Sequence, residues 1–372
     1  MTQSTEVETN GRGRRRSLTA YERWAAEQGI PTVGGFYAHL NQLRLEPWER
    51  VGGNATFVRL SGAEEGYTDG QVVEIPPGRQ LKPQRHLYEA TVYILAGRGA
   101  TTVWYDEAKK QTFEWRQHSL FAIPPNAWYQ HFNLSGDETA RYYAVTDAPL
   151  VMDLFHNLDF IFNNDFRFTD RFVAADGHFN GTGHFLEEGQ PGAGSWETNY
   201  VADLSRFELL EAPGRGAGGR NVLFEIGNST LVAHVSEFPV GTYKKAHRHG
   251  AGASVIILTG TGYTLHWHEG GPKTRVDWVP GTTFVPENMG FHQHFNTGQE
   301  PARYLAIRWG HGKYRFFRPR GDLTMVSTEE GGDQIEYEHE DPAIYAMYLE
   351  ECAKHGVTPR MDALLAGIGR RA

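Results

Sequence analysis

The chain repeats itself, and this duplication limits its possible folds more than any other feature of the sequence. The stretch QRHLYEATVYILAGRGATTVW, residues 84–104, aligns with HRHGAGASVIILTGTGYTLHW, residues 247–267, at a constant offset of 163 residues. The alignment continues without a gap to Asn133 and Asn296, where FAIPPNAWYQHFN lies over FVPENMGFHQHFN. Two copies of one pattern within 372 residues predict two domains of the same architecture.

Each copy has the sequence pattern of a small antiparallel β-barrel or jelly roll. Short apolar runs such as TVYILAG and SVIILTG end in glycine, and the chain contains 43 glycines, 18 prolines and 13% aromatic residues. Short strands separated by tight turns give this balance. Helix signals are confined to the two ends, after the N-cap residues Thr19 and Asp341. We therefore predict an all-β chain of two tandem barrels with helices at the N- and C-termini.

The same patterns divide the chain into five segments. An aromatic, asparagine-rich stretch after the first copy is expected to pack against the barrels, and the glycine-rich stretch that follows it is expected to form a surface loop. The predicted segments are a disordered tail at 1–17, an N-terminal barrel at 18–155, a connecting segment at 156–200, a C-terminal barrel at 201–325 and a C-terminal helical extension at 326–372.

Composition excludes several classes of partner. A formal net charge of −9 disfavours general binding to nucleic acid, which needs a basic face, and the basic run RGRRR at 12–16 is interpreted as part of a solvated tail. No apolar run approaches the about 20 residues of a membrane-spanning helix. The single cysteine, Cys352, excludes a thiolate metal cluster and favours a reducing compartment, so we expect a cytoplasmic protein.

The two copies differ in their histidines, and the difference provides an internal control. A histidine needed only for the shared architecture should occur in both copies, whereas one needed for chemistry in one copy can be missing from the other. The second copy has the fuller set of imidazoles. The matched positions, first copy before second, are Gln84 and His247, His86 and His249, Tyr129 and His292, and His131 and His294.

The spacing in the second copy indicates a metal site. His247 and His249 stand two residues apart, so both would project from one face of a strand. His292 on a neighbouring strand is the predicted third ligand, and His294 is the alternative, either as a ligand or as a partner of one. Three imidazoles would leave one side of a cation open to water, substrate or dioxygen. The competing interpretation is that hydrogen bonds inside a polar barrel satisfy these histidines.

Further side chains are candidates for contact with a substrate. Arg308 could pair with a carboxylate in two-point geometry, and His234 could act as an acid or base near neutral pH. Together with His294, these are the predicted catalytic residues. A second HxH pair, His266 and His268, precedes a Gly-Gly turn and is interpreted as a solvated hairpin end.

The two blocks in each copy resemble the paired motifs of the cupin superfamily, and the whole chain apart from the tails and the central segment resembles a bicupin. Cupins usually carry a glutamate as a fourth ligand three or four residues after HxH, where this chain has Ala90 and Ala253. The pattern HxHxxxA and the closing block FHQHFN are similar to those of gentisate, salicylate and hydroxynaphthoate dioxygenases, which bind iron through three histidines.

This resemblance implies a non-haem Fe(II)-dependent dioxygenase that acts on a small phenolic, hydroxy-acid or enolisable substrate. The metal would be held by His247, His249 and His292, while the first barrel would contain a degenerate site. Nickel, manganese, copper and zinc remain open, because ligand type alone does not separate them. The resemblance also implies a homo-oligomer. Two alternatives stay open: a non-catalytic bicupin that binds a metal or ligand, and a metal-dependent isomerase or decarboxylase that does not use dioxygen.

Overall fold

The computed structural model describes residues 17–173, 177–191, 193–250, 252–316 and 323–362. It consists mainly of antiparallel strands arranged in two barrels, which confirms the predicted all-β class. The predicted disordered tail lies outside the described residues except for Ser17.

The first barrel contains one large and one small sheet. The large sheet has the order β1-β4-β5-β11-β6-β9-β14, with β3 beside β4, and the small sheet has the order β10-β7-β8. Their bounds are β1 Thr32–Val33, β3 Glu46–Trp48, β4 Gly53–Val58, β5 Asp69–Ile75, β6 Ala90–Ala96, β7 Arg98–Trp104, β8 Gln111–Arg116, β9 Leu120–Ile123, β10 Trp128–Asn133, β11 Ala140–Thr146 and β14 Tyr200–Val201.

The second barrel repeats this plan. Its large sheet has the order β12-β13-β16-β17-β24-β19-β22-β2, with β15 beside β16, and its small sheet has the order β21-β20-β23-β18-β25. Their bounds are β2 Tyr37–His39, β12 Gly183–Phe185, β13 Trp196–Thr198, β15 Leu210–Glu211, β16 Arg220–Ile226, β17 Leu231–Phe238, β18 Ala246–His247, β19 Ser254–Thr259, β20 Gly262–Trp267, β21 Thr274–Trp278, β22 Thr282–Phe284, β23 Phe291–Asn296, β24 Ala302–Trp309 and β25 Gln334–Ile335.

Matching glycines explain why the same turn appears in both copies. Gly97 and Gly260 have φ angles of 81° and 82°, a left-handed conformation that side chains disfavour. A Cβ on Gly260 would lie 2.7 Å from the Cα of Ala302, and one on Gly97 would lie 2.8 Å from the Cα of Ala140. Only glycine therefore allows the two strands to pack this closely at the turn.

The helices differ in part from the prediction. The expected terminal helices are present, the first with a capping box between Thr19 and Glu22 and the last with Asp341 as N-cap. Helices also occur away from the ends, so the prediction that they are confined there is wrong. Pro149 in the first turn and the N-cap Asn157 give the central segment two helix starts. The helices are α1 Ala20–Glu27, α2 Ser61–Glu65, α3 Ala148–Phe155, α4 Leu158–Asn163 and α5 Pro342–Lys354.

The buried apolar residues that the structure describes form four separate clusters. One cluster fills the first barrel and includes Tyr21 and Trp24 of α1 and Phe162 of α4, so that these helices close that barrel. Another cluster contains residues from both large sheets, among them Tyr143 of β11 and Leu305 of β24. A third lies beneath α5, and a fourth lines the inside of the second barrel.

Two short strands cross between the barrels. β2, from the N-terminal part of the chain, pairs with β22 of the second barrel, where Tyr37 lies opposite Phe284. β14, at the end of the connecting segment, pairs with β9 of the first barrel. The predicted segment boundaries therefore stay a prediction. In the structure, each barrel includes at least one short strand from a segment that was assigned outside it. None of the helices in the described residues is long and apolar enough to cross a membrane.

Candidate metal centre

Three histidines of the second barrel meet at one end of its small sheet. His247 on β18 and His292 on β23 are direct cross-strand partners, and His249 follows just beyond the end of β18. Their rings lie 4.2 Å (His247 to His292), 4.8 Å (His249 to His292) and 5.7 Å (His247 to His249) apart between centroids. One nitrogen from each lies within 4.8 Å of the others, so the three could share a cation.

Hydrogen bonds orient the imidazoles toward one another. Nδ1 of His249 donates to the carbonyl of Gly250 at 2.7 Å, and Nδ1 of His292 donates to the carbonyl of Gly290 at 3.3 Å. Because a carbonyl can only accept, each of these rings keeps the lone pair of Nε2 for a ligand. Nδ1 of His247 is buried and has no hydrogen-bond partner among the described residues. These donors fit a divalent cation.

Burial keeps these imidazoles neutral, as a metal ligand must be. Burial lowers the pKa of His247 and of His292 well below the usual value, and neighbouring basic side chains add to the effect. For His247 the largest of these charges is the guanidinium of Arg215. Burial likewise lowers the pKa of His249 to about 4. At neutral pH the three side chains therefore present lone pairs rather than charges.

An ion pair holds the residue between the two HxH ligands away from the barrel. Nε of Arg248 donates to Asp333 at 2.8 Å, and Nη1 donates to Glu269 at 3.1 Å. The backbone N–H of Arg248 also donates to the carbonyl of Asp333 at 2.9 Å. Arg248 is thus held outside the barrel, while His247 and His249 on either side of it converge with His292.

His294, the alternative third ligand, belongs to a different network. Nε1 of Trp278 donates to Oγ1 of Thr264 at 3.1 Å, and this hydroxyl lies 2.8 Å from Nδ1 of His294. His294 is also not among the histidines whose ring nitrogens converge, which are His247, His249 and His292. The first barrel has the same network, in Trp115, Thr101 and His131. Its presence in both copies indicates a role in the shared architecture.

At the equivalent position of the first barrel, the histidine has no ring nitrogen left to bind a metal. His86 uses both ring nitrogens, Nδ1 with the carbonyl of Tyr88 at 2.7 Å and Nε2 with the hydroxyl of Tyr129 at 2.9 Å. The side-chain amide of Gln84 donates to backbone carbonyls, including that of Arg50 at 3.0 Å. The hydroxyl of Tyr129 therefore takes the nitrogen that a cation would need.

The predicted substrate residues lie on the inner face of the second barrel. His234 on β17 lies opposite Ala306, and Arg308 lies two residues further along β24. Both side chains are partly exposed, although their strands are otherwise buried. Burial lowers the pKa of His234 well below its usual value, and the positive charges of Arg308 and Lys244 contribute. Nδ1 of His234 has no hydrogen-bond partner within the described part of the chain.

The second HxH pair does not behave as one unit. His268 is exposed and lies 3.0 Å from Glu287, as expected for a hairpin end. His266 is only 4% exposed, lies opposite His292 in the sheet and packs against the ring of Phe36 at 4.9 Å. The prediction of a solvated position is wrong for His266, because β20 continues through it before the turn begins.

Two cationic residues near the three histidines were absent from the sequence-based prediction. Lys244 is buried inside the second barrel, and Arg215 lies close enough to lower the pKa of His247, His249 and His294. The internal alignment could have indicated Lys244, because the matching position of the first copy is the apolar Leu81. No pattern in the sequence marked Arg215.

Comparisons with known proteins agree with this architecture. Residues 71–146 match the family model described as Cupin domain. No curated protein matches the chain by sequence. Oxalate decarboxylase from Bacillus subtilis at pH 4.6 is similar in structure, with a TM-score of 0.51 and 15% identity over 80% of this chain and 81% of that chain.

Two further structures of the same enzyme give similar results. A single-residue variant has a TM-score of 0.50 and 14% identity over 82% of this chain and 87% of that chain. A structure concerned with the Mn(II) centres of the enzyme has a TM-score of 0.50 and 15% identity over 81% of this chain and 86% of that chain. The structural similarity shows a shared fold. Because the sequence identity is low, the activity has to be argued from the site itself.

Proposed function

We propose that this chain, which has the bicupin fold and matches the cupin family model over residues 71–146, carries in its second barrel a metal-dependent active site that cleaves a carbon–carbon bond in a small carboxylate-bearing substrate. The convergence of His247, His249 and His292 carries the proposal. A bound divalent cation would act as a Lewis acid on the oxygen atoms of a chelating substrate. The contrast with His86, whose two nitrogens are both engaged, supports a single site per chain.

Charge supports a carboxylate-bearing substrate. The three predicted ligands are neutral, so they leave the charge of a divalent cation uncompensated. Arg215 and Arg308 add positive charge, since both lower the pKa of His249. Arg308 would orient the carboxylate of the substrate, and the imidazole of His234 would hold or accept a proton at Nδ1.

The first candidate reaction is a decarboxylation that does not use dioxygen. Its support is the likeness to oxalate decarboxylase structures, one of which concerns Mn(II) centres. Under this candidate, manganese would be the preferred metal. The interior of the barrel would exclude bulk water while Arg308 and His234 contact the substrate.

The second candidate is the Fe(II)-dependent dioxygenase implied by the motif resemblance. A specific feature favours it: Ala253 stands where many cupins have a glutamate ligand, and the methyl group of alanine cannot bind a metal. The ligand set would then consist of three neutral imidazoles, and dioxygen would be a second substrate. A non-catalytic bicupin remains the third outcome of the test below.

Turnover by metal-loaded protein distinguishes these outcomes. Protein loaded with Mn(II) or Fe(II) is given a panel of small acids, including oxalate and hydroxybenzoates, while oxygen uptake and carbon dioxide release are recorded. We expect turnover that His249→Ala lowers at least about 100-fold, because it removes a ligand. The matched control is His86→Gln, the equivalent position of the first barrel, which should retain activity.

Each result assigns the protein to one class. Carbon dioxide release without oxygen uptake identifies the first candidate, and uptake that depends on His249 identifies the second. Unchanged acids in the presence of bound metal would contradict an enzymatic role and leave a ligand-binding bicupin.

A homo-oligomer is also proposed. Exposed apolar side chains in and after the central helices support it, because monomers rarely expose a cluster of this kind. The exposed side chains are Leu154, Phe155, Leu158, Phe160 and Phe166.

A further inference from the structure

A lysine is buried inside the second barrel with only neutral hydrogen-bond partners. Lys244 is 3% exposed. Its Nζ donates to the hydroxyl of Ser236 and to that of Tyr304, the latter at 3.3 Å. The ring of Tyr304 also lies 5.0 Å from Nζ, and that of Phe238 lies 5.6 Å from it. An ammonium group in such surroundings has lost its water without gaining an anion.

Carboxylates of this barrel are committed to other partners. Glu225 contacts His311 at 2.9 Å, and Glu237 contacts Arg303 at 2.7 Å. Within the described residues, no ion pair includes Lys244, and burial lowers its pKa. Buried charges are normally paired, and an unpaired one is costly. The surroundings of Lys244 therefore favour binding of an anion.

The first barrel shows that the fold does not require a cation at this position. Leu81 is the equivalent of Lys244, since each backbone N–H donates at 2.9 Å to the carbonyl of the matching histidine, His131 or His294. Val73 replaces Ser236 opposite the matching tyrosine, Tyr142. An apolar pair thus fills the first barrel where the second has a lysine and a serine.

Lys244 lies beside the same interior as the metal-binding histidines. The ring of its partner Tyr304 is 5.0 Å from that of His294, which in turn is 5.5 Å from that of His292. Tyr304 also lies 5.9 Å from the ring of His234. A small molecule held by the three histidines could therefore extend one end toward Lys244.

We infer that Lys244 binds a carboxylate group of the substrate, with the hydroxyl of Tyr304 as a second donor. Because the lysine donates to Tyr304, the hydroxyl proton of Tyr304 is available for the same anion. This inference rests on the proposed function for the identity of the occupant, a small carboxylic acid. It adds a residue that selects for the anionic form and holds it at the inner end of the site.

Binding of acetate to the metal-free protein tests this role without requiring turnover. Acetate is the smallest suitable carboxylate, and acetamide is its neutral counterpart of the same shape. Saturation-transfer NMR on the full chain measures the affinity of each. We expect wild-type protein to bind acetate, and Lys244→Leu to weaken this binding about tenfold or more through loss of a charge-assisted hydrogen bond. Acetamide binding should be the same in both proteins.

A neighbouring lysine provides the matched control. Lys245 forms an ion pair with Glu336. Lys245→Met therefore also removes one positive charge but leaves Lys244 in place. Acetate affinity should be retained in this variant. Leucine is the residue that the first barrel has at the equivalent position, which favours correct folding of Lys244→Leu. Tyr304→Phe is a second variant that keeps the lysine and should weaken acetate binding by a smaller factor.

Two results would overturn the inference: absence of acetate binding by the wild type, or equal acetate affinity in the wild type and Lys244→Leu. Failure of the proposed function gives a different pattern. If the chain binds acetate through Lys244 but neither binds metal nor turns over any acid, the anion-binding role of Lys244 is retained and the proposed enzymatic function is contradicted.

Discussion

His86 and His249 show how the environment of a single residue determines its use. They occupy matching positions of the two copies. His86 stacks on Tyr88 with ring centroids 3.7 Å apart and has both nitrogens hydrogen-bonded, whereas His249 has only Nδ1 engaged by the backbone. Tyr129 is responsible for this difference, because its hydroxyl takes the second nitrogen of His86. The same imidazole is therefore a packing residue in one barrel and a candidate ligand in the other.

The buried histidine of the first barrel should make stability depend on pH. Burial lowers the pKa of His86 to about 3, whereas an unfolded chain protonates it near pH 6.5. Between these values the unfolded state binds more protons, so the free energy of unfolding decreases as the pH falls. This contribution is complete above about pH 6.5 and is lost progressively toward pH 3.

His86→Gln removes this titration. Between pH 7 and pH 5 we expect the variant to lose about 2 kcal/mol less stability than the wild type. Urea unfolding at the two pH values measures the difference. Equal losses in the two proteins would show that His86 is protonated in the folded state as readily as in the unfolded chain.

At the scale of elements, a very short strand positions the candidate ligands. β18 contains only Ala246 and His247, and it is held between β23 and β25. The ion pair between Arg248 and Asp333 continues this attachment to the loop that carries His249. The C-terminal extension therefore supports the ligands from outside the barrel.

Loss of this ion pair should loosen the ligands without unfolding the barrel. We expect Arg248→Met to reduce metal affinity about 10-fold, because groups that orient ligands have effects of this size. Competition with a chromophoric chelator measures the affinity. The matched control is Arg85→Met, since Arg85 is the equivalent arginine of the first copy and pairs with Asp165. Unchanged affinity in Arg248→Met would show that β18 is held by its backbone alone.

Much of the fold could be predicted because the chain contains its own comparison. Strands that occur in both copies, such as β6 and β19, are long enough to show alternating or continuous apolar patterns. β2, β14 and β25 could not be predicted, because two or three residues carry no periodic pattern and their partners lie far away in sequence. Local rules do not describe such pairings.

The candidate site was predictable in the same uneven way. The HxH spacing indicated His247 and His249, and the histidine mismatch at Tyr129 favoured His292 as the third ligand, with His294 left as the alternative. His247 and His249 were expected to project from one face of the same strand. Instead, β18 ends at His247, and His249 reaches the other two histidines from a loop. Lys244 and Phe36 were missed, because their positions depend on packing between distant segments.

At the scale of the whole molecule, the first copy forms part of the wall around the second barrel. Gly62 of α2 packs so closely on the carbonyls of Val285 and Pro286 that a Cβ would lie 2.5 Å from either oxygen. Nε1 of Trp309 donates to the carbonyl of Gly66 at 2.8 Å. The first barrel can therefore lose its own site and still be needed for that of the second.

The number of metal ions per chain tests this division of labour most directly. Elemental analysis of protein purified without chelators is compared for the wild type, His249→Ala and His86→Gln. The account predicts one ion, none and one, respectively, because among the described residues the second barrel brings together three histidines that each keep a ring nitrogen for a ligand, whereas both nitrogens of His86 are hydrogen-bonded. Two ions in the wild type, or an ion that His86→Gln removes and His249→Ala retains, would contradict it.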